Sequence, residues 1–329
     1  MNFFNSVRLK IAFLAFGIMF CCQTGFGQTN WSPVFRFVQT DLNSVYFTSA
    51  EKGFIGGDGG VFAFTNDGGQ SWTKQPLNTN DTVNEIFFRN EDNGYLLVGR
   101  HIFITNDGGK SWRENQVIKS VEFGGRIPDF LSVRFSGKKK GWIVGSLLNN
   151  DEEVIDSLVL QTQDSGETWS RVTVPSDKLE LYHVDFVNDE TGWVVGDKGL
   201  ILATKDGGQT WKKQTSGTDV GIFNVDFRDS SNGVVVGSKG TILRTENGGT
   251  TWEKVTAPVV KKFLRVNFIN DKTGFIVGGG GTILRTEDKG KTWTKINSQT
   301  TESLYGLFSD KKSSWAVGEK GLMLRLLKN

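Results

Sequence analysis

Short apolar runs separated by polar turns recur along the chain, and four of them make one unit. Val184-Asp185-Phe186 is followed by Gly192-Trp193-Val194-Val195-Gly196, by Gly199-Leu200-Ile201-Leu202, and by a polar turn, Thr204-Lys205-Asp206-Gly207-Gly208-Gln209-Thr210-Trp211. Runs of this length, bounded by glycine and polar residues, predict β-strands. The closing phrase returns five more times, ending at Trp72, Trp112, Trp169, Trp252 and Trp293, and the intervals from Trp72 onward are 40, 57, 42, 41 and 41 residues. A period near 41 with four strands per unit predicts the blades of a β-propeller.

A seventh unit starts at Leu304, passes through Trp315-Ala316-Val317-Gly318, and stops at Gly321-Leu322-Met323-Leu324-Arg325 without its turn or fourth strand. The missing strand stands at the other end. Trp31 precedes Val45 by the same 14 residues that separate Trp211 from Val225. The expected architecture is therefore all-β: a seven-bladed β-propeller of four-stranded antiparallel blades, its last blade closed by the N-terminal strand. Closure of this kind pairs the open edges of the first and last units. Four antiparallel strands per blade place the second-to-third-strand turns and the inter-blade connections on one face, the top, and the polar turns on the bottom. The 57-residue interval contains two insertions, between Trp112 and Val133 and between Gly145 and Thr162. Both are read as elaborated top loops of blade three.

The polar turn resembles the Asp box, the bacterial neuraminidase repeat. Its acceptors are Asp67, Asp107, Asp164, Asp206, Asn247 and Asp288, and each can take hydrogen bonds from backbone N–H groups a few residues on, closing the turn locally. Glycines such as Gly207 and Gly208 allow the positive φ the turn needs. Trp72, Trp112, Trp169, Trp211, Trp252 and Trp293 then bury large rings between units, each worth roughly 1.5–3 kcal/mol when fully buried. These residues are read as structural.

Residues 1–27 carry Arg8 and Lys10, an apolar run from Ile11 to Phe20, and Gly25-Phe26-Gly27. The pattern predicts a secretory signal peptide cleaved before Gln28, and a periplasmic, extracellular or cell-surface location. Both cysteines, Cys21 and Cys22, lie in this segment. The mature chain, 28–329, is then a single domain without disulfides or thiolate metal sites, and it is expected to be a monomer without metal or cofactor. The 38 Lys and Arg of the full chain balance 36 Asp and Glu, so no global charge selects nucleic acid as partner.

Candidate chemistry is thin. Arg126-Ile127-Pro128 matches the arginine motif of Asp-box sialidases, but it follows two Asp boxes instead of preceding the first, and Gly125 stands where an aromatic residue is usual. Asp185 and Asp226 occupy equivalent inner-strand positions and could pair as acid and base in a glycosidase. The same position reads Tyr46, Phe87, Arg134, Asn267 and Leu307 in other blades, which suits polar residues lining a wet channel. Tyr46, Tyr182 and Tyr305 stand at inner-strand starts. His101 and His183 have no metal-ligand spacing. No catalytic residue is assigned.

A charge pattern remains. One third-strand position reads Phe64, Ile104, Gln161, Ala203, Arg244, Arg285 and Arg325 from blade one to seven. Lys198, Lys239 and Lys320 share one top turn, Lys261, Lys262 and Arg265 open blade six, and the blade-three loop holds Asp151, Glu152, Glu153 and Asp156. These cations predict a basic arc over blades four to seven, faced by an acidic flap, that docks a protein segment or an anionic surface, with Arg126 a further partner-binding candidate.

The seven units, with motifs such as Gly192-Trp193-Val194-Val195-Gly196 ahead of Thr204–Trp211, make the chain similar to the photosystem II stability and assembly factor family over residues 30 to 329. That resemblance implies a seven-bladed, non-enzymatic, exported protein that helps assemble a membrane complex by binding partly made subunits, with an arginine-rich patch as its docking surface. Relatives also occur in organisms without photosynthesis, so the client is not carried over. The expected function is an exported binding scaffold for a membrane or cell-surface protein complex. The alternative is a glycan-binding or glycoside-hydrolysing propeller of sialidase or xyloglucanase type.

Overall fold

The computed structural model describes residues 30–115 and 123–327. The leader, with Cys21 and Cys22, and part of the first blade-three insertion lie outside the described residues. Seven four-stranded antiparallel sheets follow one another along the chain. Blade four is typical: Leu181–Phe186, Gly192–Gly196, Ile201–Thr204 and Lys212–Gln214 from the axis outward. Blade seven has the order N-terminal strand, third, second, first, with Trp31 opposite Leu326 and Pro33 opposite Leu324. The ring is thus closed by the N-terminal strand.

Blades hold to one another through aromatic rings. A phenylalanine closes the first strand in blades one to six, Phe47, Phe88, Phe186, Phe227 and Phe268 as its last residue and Phe135 as its last but one. Each ring meets the Asp-box tryptophan of its own blade edge-on, at centroid distances from 5.7 Å for Phe88–Trp112 to 6.2 Å for Phe47–Trp72. The preceding blade covers its other side. Trp142 stacks on Phe186 at 3.5 Å, Trp193 on Phe227 at 3.4 Å and Tyr95 on Phe135 at 4.0 Å. The second-strand residue paired with this phenylalanine is glycine in each of these blades for the same reason. A Cβ added at Gly53, Gly94, Gly141, Gly192, Gly233 or Gly274 would sit 2.5–2.9 Å from that phenylalanine.

Blade seven departs from this rule, with Ser309 opposite Ser314 where the others pair Phe with Gly. Trp31, fully buried, fills its tryptophan slot and meets Phe275 of blade six edge-on at 5.5 Å. The closing strand therefore supplies core as well as backbone pairing.

The described residues of the blade-three insertions form mostly strand. They lengthen three strands, Ile127–Ser136, Lys140–Leu148 and Val154–Thr162, so that the second-to-third hairpin stands above the other top turns and bends at Asn149–Glu153. Leu147 and Leu158 are fully buried in this extension. Apolar residues at alternate positions continue the pleat past the usual strand end, which is why strand outlasts the standard blade length.

Trp31→Ala removes a buried ring and should cost about 3–5 kcal/mol in chemical denaturation. Deleting residues 30–36 should lower the melting temperature of the whole ring in one transition. An unchanged midpoint in either case would mean that the ring closes without this strand.

Candidate functional site

The inner strands leave one edge of every blade facing the axis, and a strand edge carries unpaired N–H groups. Side chains of the preceding blade accept from them. Ile86 N–H donates to Ser44 Oγ (3.0 Å), Val133 N–H to Glu85 Oε2 (2.6 Å), Val184 N–H to Ser132 Oγ (3.3 Å) and Val266 N–H to Asn224 Oδ1 (3.0 Å). One layer lower, Phe227 N–H donates to Asp185 Oδ2 (2.8 Å) and Phe268 N–H to Asp226 Oδ2 (2.6 Å). The two carboxylates singled out as a possible acid and base are both engaged in joining blades. The seventh residue of their layer is Phe308, not Leu307, because Leu307 pairs with Ala316 and takes the place held by Val45 in blade one.

Ser44, Glu85, Asp185, Asn224 and Asp226 line a central cavity of ≈ 270 Å³ together with Tyr46, Arg134, His183, Arg265 and Asn267. Arg134 donates to Glu85 Oε1 at 2.6 Å and to Val133 O at 2.8 Å, and its Nη2 lies 2.9 Å from His183 Nε2. Burial, and then Arg134 and Arg265, hold His183 well below its ordinary range, so it is neutral. Burial raises Tyr46, whose hydroxyl donates to Phe88 O at 2.8 Å. Among the described residues no group of three or more His, Cys, Asp or Glu is placed to hold a metal ion.

Above the cavity the first strand of every blade skips one residue in its pairing: Asn43, Asn84, Leu131, Tyr182, Phe223, Leu264 and Tyr305. Strict alternation would turn these side chains toward the preceding blade, but a bulge re-aims the residue it sets free. Here the seven, with Arg265, line a mouth of ≈ 270 Å³. Sequence reasoning missed this collar because period-two counting slips by one at each bulge. Tyr182 and Tyr305 belong to the collar, whereas Tyr46 lies deeper in the channel wall.

The cations predicted to form one arc separate into two groups. Lys198, Lys239, Lys261, Lys262 and Arg265 lie at the top, and among the described residues none has a carboxylate within 4 Å. Lys262 Nζ sits over the Phe223 ring at 4.8 Å. Lys320 shares their turn but pairs with Glu319 at 3.0 Å and Glu302 at 4.0 Å.

Arg244, Arg285 and Arg325 lie at the other end, next to the Asp turns. Arg244 Nε donates to Lys289 O in the Asp turn of blade six at 3.2 Å, Arg285 pairs with Glu287 at 2.5 Å, and Arg325 covers Trp315 at 5.2 Å. The third strand runs from top to bottom, Arg244 and Arg285 immediately precede the Asp-box threonines Thr245 and Thr286, and Arg325 holds the same place in blade seven, so all three stand at the bottom end. Arg126 is top-facing but pairs with Asp156 at 2.9 Å, as does Arg171. The acidic hairpin is thus partly neutralised within blade three.

The Asp turns repeat one geometry. In blade four, Thr204 Oγ1 donates to Asp206 Oδ1 (2.8 Å), Gly208 N–H to Thr204 Oγ1 (2.9 Å), and Thr210 N–H and hydroxyl to the two Asp206 oxygens (2.9 and 2.5 Å). Asp67, Asp107, Asp164 and Asp288 accept in the same way, and Asn247 accepts from Thr245 Oγ1 and from Thr251 N–H. The Ser71, Ser111 and Thr210 hydroxyls, ahead of the backbone donors, hold Asp67, Asp107 and Asp206 down at about 2. Trp72, Trp169, Trp211 and Trp293 are buried, while Trp112 and Trp252 are partly exposed.

Fold and site together define an Asp-box propeller of seven blades with a collared axial channel. The family described as photosynthesis system II assembly factor YCF48 matches residues 72–180, 172–222, 216–300 and 259–327, and the chain belongs to that family. No curated protein matches it. Among solved structures, YCF48 bound to D1 peptide is 18% identical, with 91% of this chain and 95% of that one covered and a TM-score of 0.71. YCF48 from Cyanidioschyzon merolae is 18% identical at 90% and 98% coverage, TM-score 0.71. Virginiamycin B lyase from Staphylococcus aureus is 12% identical at 92% and 100% coverage, TM-score 0.72. At these identities the likeness is one of fold.

Burial, and then the charge of Asp185, push Asp226 up to about 7, from 3.8 as its ordinary value. The native state then holds a proton that the unfolded chain has lost, so stability from this group is complete below about pH 4 and declines as pH rises through about 7. The Asp-box aspartates act in the opposite sense and only in acid. Asp226→Asn keeps an acceptor for Phe268 N–H and removes the charge. Its stability relative to wild type should therefore rise between about pH 5 and pH 8 in urea titrations. Parallel pH profiles would overturn this assignment.

Proposed function

We propose that the protein is an exported, non-enzymatic scaffold that docks a polypeptide segment of a membrane or cell-surface protein across the top of the channel. The observation that carries the reading is the collar: partly exposed Leu131, Tyr182, Phe223, Leu264 and Tyr305 surround the mouth, beside lysines without carboxylate partners. An apolar centre with a charged rim is the anatomy of a protein-binding patch. Membership in the YCF48 family supports the same reading, because a solved relative carries a peptide.

The backbone under the rim lends further support. Lys198, Lys239 and Lys320 sit at φ 50°, 55° and 54°, the left-handed region, where blade one has Gly59 at φ 67°. Glycine would relieve that strain, so keeping lysine costs on the order of 1 kcal/mol per position. Strain retained at three equivalent turns favours a use for the charge. Lys198 and Lys239 lie on the second-to-third-strand turns of blades four and five, at the same end of the ring as the mouth, and Lys261 and Lys262 stand just before the first strand of blade six. The residues that serve this reading are therefore Lys198, Lys239, Lys261, Lys262 and Arg265.

A photo-crosslinking residue at Phe223, compared with one at Lys291 on the Asp-turn face, tests the face in native cells. The expected result is discrete adducts to membrane or surface proteins from Phe223 alone, weakened several-fold by Lys239→Glu with Lys262→Glu, and an intact mass starting at Gln28. Adducts equal from both faces, or binding only to glycans on an array, would overturn the scaffold reading.

A further inference from the structure

One residue at the neck is not explained by the channel wall. The positions equivalent to Arg265 are Ser44, Glu85, Ser132, His183, Asn224 and Gly306. Four of these, Ser44, Glu85, Ser132 and Asn224, accept an N–H from the next blade. An arginine has no acceptor and cannot do so. Its fork makes one hydrogen bond, Nη1 to Leu264 O at 3.0 Å. The nearby carboxylate, Glu85, is already taken by Arg134 and by Val133 N–H, both at 2.6 Å. Burial depresses Arg265 below its ordinary range, and Arg134 adds to the effect against the pull of Glu85. The half-buried guanidinium therefore keeps donors that the described residues do not use, open to whatever enters the mouth.

Arg265 borders both the mouth, ≈ 270 Å³, and the channel cavity below it. Its guanidinium is therefore reachable from the top, past a gap walled by rings. Tyr182 and Phe223 lie 5.1 Å apart at 58°, and Leu264 and Tyr305 continue the wall on the other side.

We propose that Arg265 and this collar form a carboxylate-binding site, in which the free side of the guanidinium takes the carboxylate and Tyr182, Phe223, Leu264 and Tyr305 hold the apolar group attached to it. The planar fork matches a carboxylate bidentately. A phosphate would fit the fork too, but Glu85, Asp185 and Asp226 line the cavity beneath, and like charge disfavours a dianion there more than a monoanion. The carboxylate can come from a free organic acid, a chain end or an acidic side chain. The inference rests on reading the mouth as the docking site, and gives that site its recognition chemistry.

The test uses the mature chain and defined probes: 3-phenylpropionate, its amide, phenyl phosphate, and a hexapeptide ending in Phe with free or amidated carboxyl end, beside one with an internal Glu-Phe pair. The acid should bind at least about tenfold more tightly than its amide, as expected for losing hydrogen bonds to a charged group. Arg265→Met should abolish that difference, while Lys295→Met should leave it. The two peptide arms tell a chain end from a side chain.

Equal binding of acid and amide to the wild-type protein overturns the site, even if Arg265→Met does not fold. So does an unchanged preference in a folded Arg265→Met. Tyr182→Ser is a second variant, expected to weaken the acid and amide alike. Crosslinks from Phe223 that persist without any acid preference would sink the carboxylate site and leave the docking face standing.

Discussion

The ring depends on one repeated contact, a phenylalanine held between two aromatic rings from different parts of the chain. Phe186 stacks on Trp142 of the blade before and meets Trp211 of its own blade at 90°. Such pairs add to the burial of their area and have preferred angles, so they fix geometry as well as energy. The contact dictates glycine at Gly192 and explains why Gly208, on the Asp turn, would place a Cβ 2.6 Å from the Trp142 indole nitrogen. The Asp turn is therefore more than a tidy hairpin. It presents the tryptophan and keeps the backbone thin where the neighbouring ring arrives.

Once blades are locked at that angle, their inner edges converge on the axis and must be satisfied there. Acceptors on the first strand do this work, and the choice among Ser, Glu, Asn and Asp follows from reach to the next N–H. A channel rich in carboxylates thus arises from edge pairing, without any catalytic demand. It also gives a rule for finding residues with another purpose. Arg134 departs from the acceptor rule too, but it is saturated by Glu85, Val133 and His183. Arg265 has one bond and an open cavity on its other side.

Much of this was legible in the sequence. Four strands per unit, seven units and the Trp31 strand as the missing piece follow from spacing alone, because each blade must present the same residue types at the same contacts. The site was less legible, for two physical reasons. Position within a strand gives the blade but not the end of it, so Arg244, Arg285 and Arg325 were grouped with lysines on the opposite face. Alternation gives the side of a strand only while pairing is regular, so the collar of seven bulged residues went unrecognised, and Leu307 was read in the place that Phe308 holds. The elaboration of blade three was visible as length but became strand, since its apolar residues kept the pleat.

The same distinction bears on where specificity resides. A residue of the aromatic lock or an edge acceptor answers to a neighbouring blade and can change little without cost. The bulged residue has no place in the strand pairing and lines the open mouth, although Asn84 Nδ2 also donates to Phe130 O of blade three at 2.8 Å and Asn43 Nδ2 to Asp58 Oδ1 at 2.9 Å. Seven such positions, one per blade, form a contiguous ring in which Asn43, Tyr182, Phe223 and Leu264 can differ freely on identical scaffolding. Propellers only 18% identical can therefore share the ring and differ in what they hold. The collar is the part of this molecule where most residues can change with the least consequence for the ring.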